Sequence, residues 1–227
     1  MFLKEVVLWD ESEESTLYKD SLCISEMFRW ELKKKIKTED TEALFIHCGK
    51  YEKVAFIREE QEAYSVLVPK KSVDVMMPFD QERYTQLNKQ EKKKMLADVL
   101  IKGVLFVADK KNLNQAFIKD AYRKMVKKEF NHYVKPWKKQ LSPNKRFKAY
   151  PMVRLDLDFF ELEVVIEREK KVIVKKSILT CEPDFHTLWY AMRELKWLSN
   201  HEVALYTRAH KETYTGIKIP SLEENGE

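Results

Sequence analysis

The stretch "VRLDLDFFELEVVIEREKKVIVKKSIL", Val153 to Leu179, decides how this chain is read. Apolar residues alternate through Val153, Leu155, Leu157 and Phe159, the period of a strand with one buried face. Beyond Phe159 the phase moves to Leu162, Val164 and Ile166, which places a β-bulge at Phe159–Phe160. A three-residue turn, Arg168-Glu169-Lys170, then returns the chain as "VIVKKSIL", with Val164 opposite Val174 and Glu163 opposite Lys175. Asp156, Asp158, Glu161 and Glu163 share one face, and a facing lysine stabilises such a pair by roughly 0.2–1 kcal/mol. Carboxylates of this kind could instead converge on a divalent ion at a nuclease-type edge. The hairpin already supplies a basic neighbour, so a metal-dependent hydrolase using Asp156 and Asp158 ranks below a solvated ribbon. No metal ligand is assigned.

Outward from this hairpin, Asp184 can cap a helix carrying Leu188, Met192 and Leu195, and "EVALYTR" and "YTGIKI" finish a sheet. Upstream, "HYVKPWKKQLSPNKRFKAYP" has three prolines, no acid and no period, and reads as a linker or long loop. Before it lie two helices. Asp80 can cap one entering "QERYTQLNKQEKKKMLADVLIKGVLFV", and Asn112 with Gln115 has capping-box spacing before another, about Leu113 to Asn131, with Phe117, Ala121 and Met125 on one face. At the front, Phe2 to Trp9 suits a strand and Ser25 can cap a helix to about Lys37. A meander of "ALFIHC", "KVAFIR" and "AYSVLV" follows. The expected fold is α+β, with antiparallel sheet elements at both ends of the chain around a central helical pair. Its regions are 1–79, a helical pair at 80–131, a basic linker at 132–151 and a hairpin-helix-two-strand region at 152–227, compatible with one domain.

Composition narrows function. Of 227 residues 44% are hydrophobic and 35% charged, a globular chain with a heavily charged surface. Four widely spaced glycines cannot build a phosphate-cradling loop or a dinucleotide fingerprint. Cys23, Cys48 and Cys181, odd in number, suit a reducing compartment rather than a disulfide scaffold. Lys4 and Glu5 interrupt any signal-peptide core, and the apolar run Met95–Val107 is too short and too charged to span a bilayer. A cytoplasmic protein with no membrane partner is expected. No nucleophile motif occurs, and Cys181 with His186 lacks the second pair a zinc site needs. No catalytic residue and no cofactor is assigned.

Charge is distributed unevenly. Residues 110–150 hold 13 of the 42 lysines and arginines but two of the 37 acids, Asp120 and Glu129. Such asymmetry points to an anionic partner or to an acidic one within the molecule. Lys119, Arg123 and Lys127 recur every four residues as a helix stripe. Lys135, Lys138, Lys139, Lys145 and Arg146 follow, with Trp137, Phe147 and Tyr150 interleaved. Cations with stacking aromatics suit single-stranded nucleic acid. Tyr190 and Trp197, seven apart on the expected last helix, would add a second surface of the kind that anchors protein interfaces. A charged α+β chain without catalytic motifs fits a non-enzymatic binding protein with a macromolecular partner. A protein partner is favoured, as for a stoichiometric inhibitor, an immunity or antitoxin-type neutraliser, or an adaptor. Nucleic-acid binding through 110–150 is the alternative.

Overall fold

The computed structural model describes residues 2–10, 16–33, 36–60, 71–184, 187, 190–208 and 214–220, with backbone alone at 58–60. Two compact units divide the chain, Met1–His132 and Tyr133–Glu227. The first contains β1 (Glu5–Asp10), α1 (Leu17–Leu32), β2 (Ala43–Gly49), β3 (Ala55–Glu60), β4 (Ser72–Pro78), α2 (Gln81–Gln86), α3 (Lys89–Lys110) and α4 (Gln115–Lys127). The class is α+β, with strands towards both ends and helices between them.

The first sheet has the order β1-β2-β4-β3 and is mixed. β1, β2 and β4 run parallel, and β3 is antiparallel to β4. Parallel neighbours need a crossover, which α1 supplies between β1 and β2. "ALFIHC" and "KVAFIR" hold as β2 and β3, while "AYSVLV" lies outside the described residues. The strand beside β2 is instead "SVDVMMP", where Asp74 interrupts the apolar run and hid it from a pattern search.

α1 starts at Leu17, so Ser25 is not its cap but a buried mid-helix residue. The four-residue spacing of Phe28, Leu32 and Ile36 captured one face but missed the preceding two turns, which bury Leu17, Leu22 and Ile24. Helices and sheet meet over Leu8, Leu44, Ile46 and Val75, all essentially excluded from solvent. Gly103 allows α3 this approach, since a Cβ there would stand 2.6 Å from Ile46 Cδ1.

Asp80 caps α2, accepting the Arg83 N–H at 2.9 Å. The long helix expected after it breaks at Leu87. Asn88 caps a new helix, accepting from Gln90 and Glu91, and the Glu91 carboxylate accepts the Asn88 N–H in return. α4 is capped by Asn114 rather than Asn112, whose φ of 52° puts it in the connecting turn. Its buried face is Ile118, Ala121 and Met125, and Phe117 stands 38% exposed.

In the second unit, β5 (His132–Val134), which starts at the boundary, β6 (Gln140–Leu141), β7 (Lys148–Leu155), β8 (Phe160–Arg168) and β9 (Lys171–Cys181) form one sheet. Its order is β5-β7-β8-β9, with β6 also on β7. β10 (Glu194–Trp197), β11 (Glu202–Tyr206) and β12 (Tyr214–Lys218) form an antiparallel second sheet. The segment 132–151, read as a linker, thus holds β5, β6 and the start of β7.

Three stretches of this unit fold differently from what their local pattern predicts. First, the strand with a bulge at Phe159–Phe160 is two strands, β7 and β8, joined by a reversal at Asp156–Phe159. Asp156 drives it: its N–H donates to Phe159 O at 2.9 Å, and its Oδ1 accepts the Leu157 N–H at 2.8 Å. Second, the next turn has two residues, Glu169 and Lys170, with φ of 51° and 68°, the left-handed pair that matches hairpin twist. Together with the register shift at Ile166/Glu167, it sets Val174 opposite Ile166, not Val164. Third, the helix expected through Leu195 stops earlier. Glu194–Trp197 is a strand because β11 offers it a ladder, with Leu195 opposite Leu205 and Trp197 opposite Val203.

Candidate functional site

The cationic helix stripe forms on α4. At 100° per residue, Lys119, Arg123 and Lys127 fall on the side opposite Ile118, Ala121 and Met125. All three stripe residues are exposed. Asp120 pairs with Lys124 at 2.8 Å and approaches Arg123 at 3.7 Å. That hydrogen bond holds the Lys124 ammonium above its usual pKa. Lys128 turns to Glu31 of α1, a buried carboxylate. Lys119 and Lys127 make no ion pair among the described residues.

The basic segment of the second unit is arranged differently. Tyr150 is 2% exposed, and its ring has Lys135 Nζ at 4.3 Å and Lys139 Nζ at 4.7 Å from the centroid. Its hydroxyl donates to Glu167 Oε1 at 2.5 Å, and Glu167 also pairs with Lys139. Lys139 first, then Tyr150, hold the Glu167 carboxyl below the usual range, while burial and then Glu167 push the Tyr150 phenol up. Lys139 is thus spent on an internal counter-ion. Phe147 is buried too, stacked 6.4 Å from Trp197. Two of the three rings expected to interleave with cations are therefore closed to a base, and Trp137 is half-buried.

Lys138, Lys145 and Arg146 remain exposed. The last two ride a tight loop, in which Phe147 N–H donates to Ser142 Oγ at 3.0 Å and Arg146 N–H to Asn144 Oδ1 at 3.1 Å. Lys145 takes the left-handed conformation there, with φ 59°. Asn144 N–H donates to Asn200 Oδ1, and the Trp197 indole N–H to Gln140 O at 3.2 Å, tying β6 and its loop to the β10 region. Trp197 is thus a half-buried tie on β10 and shares no helix stripe with Tyr190, which is 50% exposed. The stripe of α4 belongs to the first unit, the loop cations to the second.

The acidic stretch finds its base: Lys175 Nζ lies 2.9 Å from Glu163 and is held above its ordinary pKa by it. The contact runs diagonally, since Lys175 faces Val165. Asp156 is buried in its turn and Asp158 exposed. Among the described residues no three His, Cys, Asp or Glu side chains are grouped so as to hold a metal ion. His186 lies outside them, so the Cys181–His186 pairing does too.

Pattern reading missed two groups. His47 Nε2 and Asp74 Oδ1 meet at 2.6 Å across the parallel β2–β4 pair, and Glu167 organises Tyr150 and Lys139. The first depends on an unseen strand. For the second, odd-numbered Glu163 and Glu167 on one strand were a usable signal. Cys48, beside these strands' ends, is pushed up to about 12 by burial, with Asp10 adding to it. No helix among the described residues is long and apolar enough to cross a membrane.

The chain matches no protein-family model, no curated protein and no solved structure.

Proposed function

We propose that this is a non-enzymatic binding protein that holds the acidic surface of a protein partner on the outer side of α4. One observation carries the reading: Lys119, Arg123 and Lys127 are exposed together, opposite the helix's buried face. Cations in such a row raise encounter rates with an acidic surface and fix its register. A stoichiometric inhibitor, a neutraliser or an adaptor would use them alike. Burial of Phe147 and Tyr150 favours a protein over single-stranded nucleic acid, because base stacking needs open rings. Three cysteines without a disulfide support a cytoplasmic setting.

The test is fluorescence anisotropy with two probes, a poly-glutamate peptide and a single-stranded oligonucleotide, across a salt series. The peptide should bind, and the triple change Lys119→Ala, Arg123→Ala, Lys127→Ala should abolish that binding with the fold intact. Oligonucleotide binding should be weak and indifferent to Trp137→Ala. Equal peptide binding by the triple variant would refute the assignment. A tight oligonucleotide complex would favour nucleic acid if the triple change flattened its salt slope by about two, at about 0.7 per phosphate. Trp137→Ala should then cost roughly 1–3 kcal/mol.

A further inference from the structure

A cleft of about 420 Å³ lies in the first unit between α2, the outer side of α3 and the end of β4. That volume falls within the range of small-ligand sites. Its apolar lining comes from Met77 and Pro78 of β4, Leu87 at the helix break, and Met95 and Val99 of α3. Apart from buried Met77 these are half-buried, so apolar surface is left within reach of a ligand. The site exists because α2 and α3 are separate helices: Leu87 and the Asn88 cap open the corner that one continuous helix would have closed.

The charges around it do not cancel. Arg83, Lys94 and Lys102 line it, with Glu91 and Asp98. Both Asp98 oxygens already have partners: Lys94 Nζ sits 2.5 Å from Oδ2, and the Tyr122 hydroxyl donates to Oδ1. Glu91 is held by the Asn88 N–H at 3.0 Å and sits in the first turn of α3, where the helix dipole favours its charge. Arg83 and Lys102 make no side-chain ion pair or hydrogen bond among the described residues. Two unspent cations therefore border a half-exposed apolar wall.

We infer that this cleft binds an amphipathic monoanion, a carboxylate carried on an apolar body. The head meets Arg83 and Lys102, and the body lies on Leu87, Met95 and Val99. A phosphate dianion would meet stronger repulsion from Glu91 and Asp98 in the same lining, so a single negative charge is the better match. An apolar cation would meet two like charges.

The intact chain is titrated calorimetrically with decanoate, acetate and decyltrimethylammonium, and the methionine methyls are followed by NMR. Decanoate should bind and shift the Met95 methyl while leaving Met125, buried beneath α4, unmoved. Acetate and the cation should not bind. Arg83→Ala with Lys102→Ala should weaken decanoate about tenfold, from two partly exposed ion pairs. Both side chains are exposed, so the fold should survive, and circular dichroism checks this. Absent decanoate binding, a still Met95 methyl, equal binding of the cation, or undiminished affinity in the folded double variant would each overturn the site. The Lys119, Arg123 and Lys127 triple variant should bind decanoate normally, which separates this site from the α4 surface.

Discussion

Replacing Ser25 with alanine distinguishes two accounts of α1 by the sign of one number. As an N-cap, serine would accept a backbone N–H, and its loss would cost about 1 kcal/mol. In the fold Ser25 sits midway along α1, 8% exposed, and its Oγ is buried without a hydrogen-bond partner among the described residues. Alanine is the better helix former there by about 0.5 kcal/mol. Removing an unsatisfied buried hydroxyl relieves roughly 1–3 kcal/mol more, and the low end applies because alanine also gives up the oxygen's packing contacts. The void left by one oxygen is small. Ser25→Ala should therefore stabilise the protein by about 1 kcal/mol. Urea denaturation followed by far-ultraviolet circular dichroism reads this directly. With a slope of about 2 kcal/mol per molar, the midpoint should rise by about 0.5 M. A fall of similar size would mean that the hydroxyl is bonded and that α1 starts near Ser25 after all.

Further outcomes follow from the same packing. Burial, with Lys128 and Arg29 adding to it, lowers the His132 pKa to about 4, against about 6.5 in an unfolded chain. The unfolded chain then binds a proton that the folded one refuses, so this stability is present above pH 6.5 and lost towards pH 4. It amounts to about 2 kcal/mol between pH 7 and pH 5, and His132→Gln should lack that part of the pH dependence in matched urea titrations. Gly103→Ala would place a methyl 2.6 Å from Ile46 Cδ1 and 3.1 Å from its Cγ1. Overpacking of roughly 1–3 kcal/mol outweighs a helix gain of about 1 kcal/mol, so melting should come earlier; an unchanged or higher Tm would show that α3 is not seated there. Cys181 is half-buried, whereas Cys23 and Cys48 are buried and the Cys48 thiol is pushed up to about 12. At pH 8 a thiol reagent should label Cys181 first and the other two only on unfolding; prompt labelling of Cys48 would contradict its place in the sheet.

Local chemistry was legible wherever a residue's role depends on neighbours a few positions away. Asp80 caps its helix because the N–H it serves is three residues on. The α4 stripe follows from four-residue spacing alone, and Lys175 finds Glu163 because a short hairpin must bring them close. These contacts close small loops, so short-range spacing is enough to specify them, along with the α+β class. Where two local solutions were equally good, tertiary structure chose. Met192 and Leu195 suit a helix turn, yet Glu194–Trp197 became a strand because β11 lay ready to satisfy its backbone. Asp74 concealed β4 from any alternation test, and its partner His47 stands 27 residues away on β2. Phe147 and Tyr150 read as open rings among cations until Trp197 and Glu167, 50 and 17 residues on, enclosed them. Each depends on which distant surface arrives to cover a side chain or complete a ladder. A chain's local pattern carries no record of that choice, because burial and pairing are settled between segments, not within them.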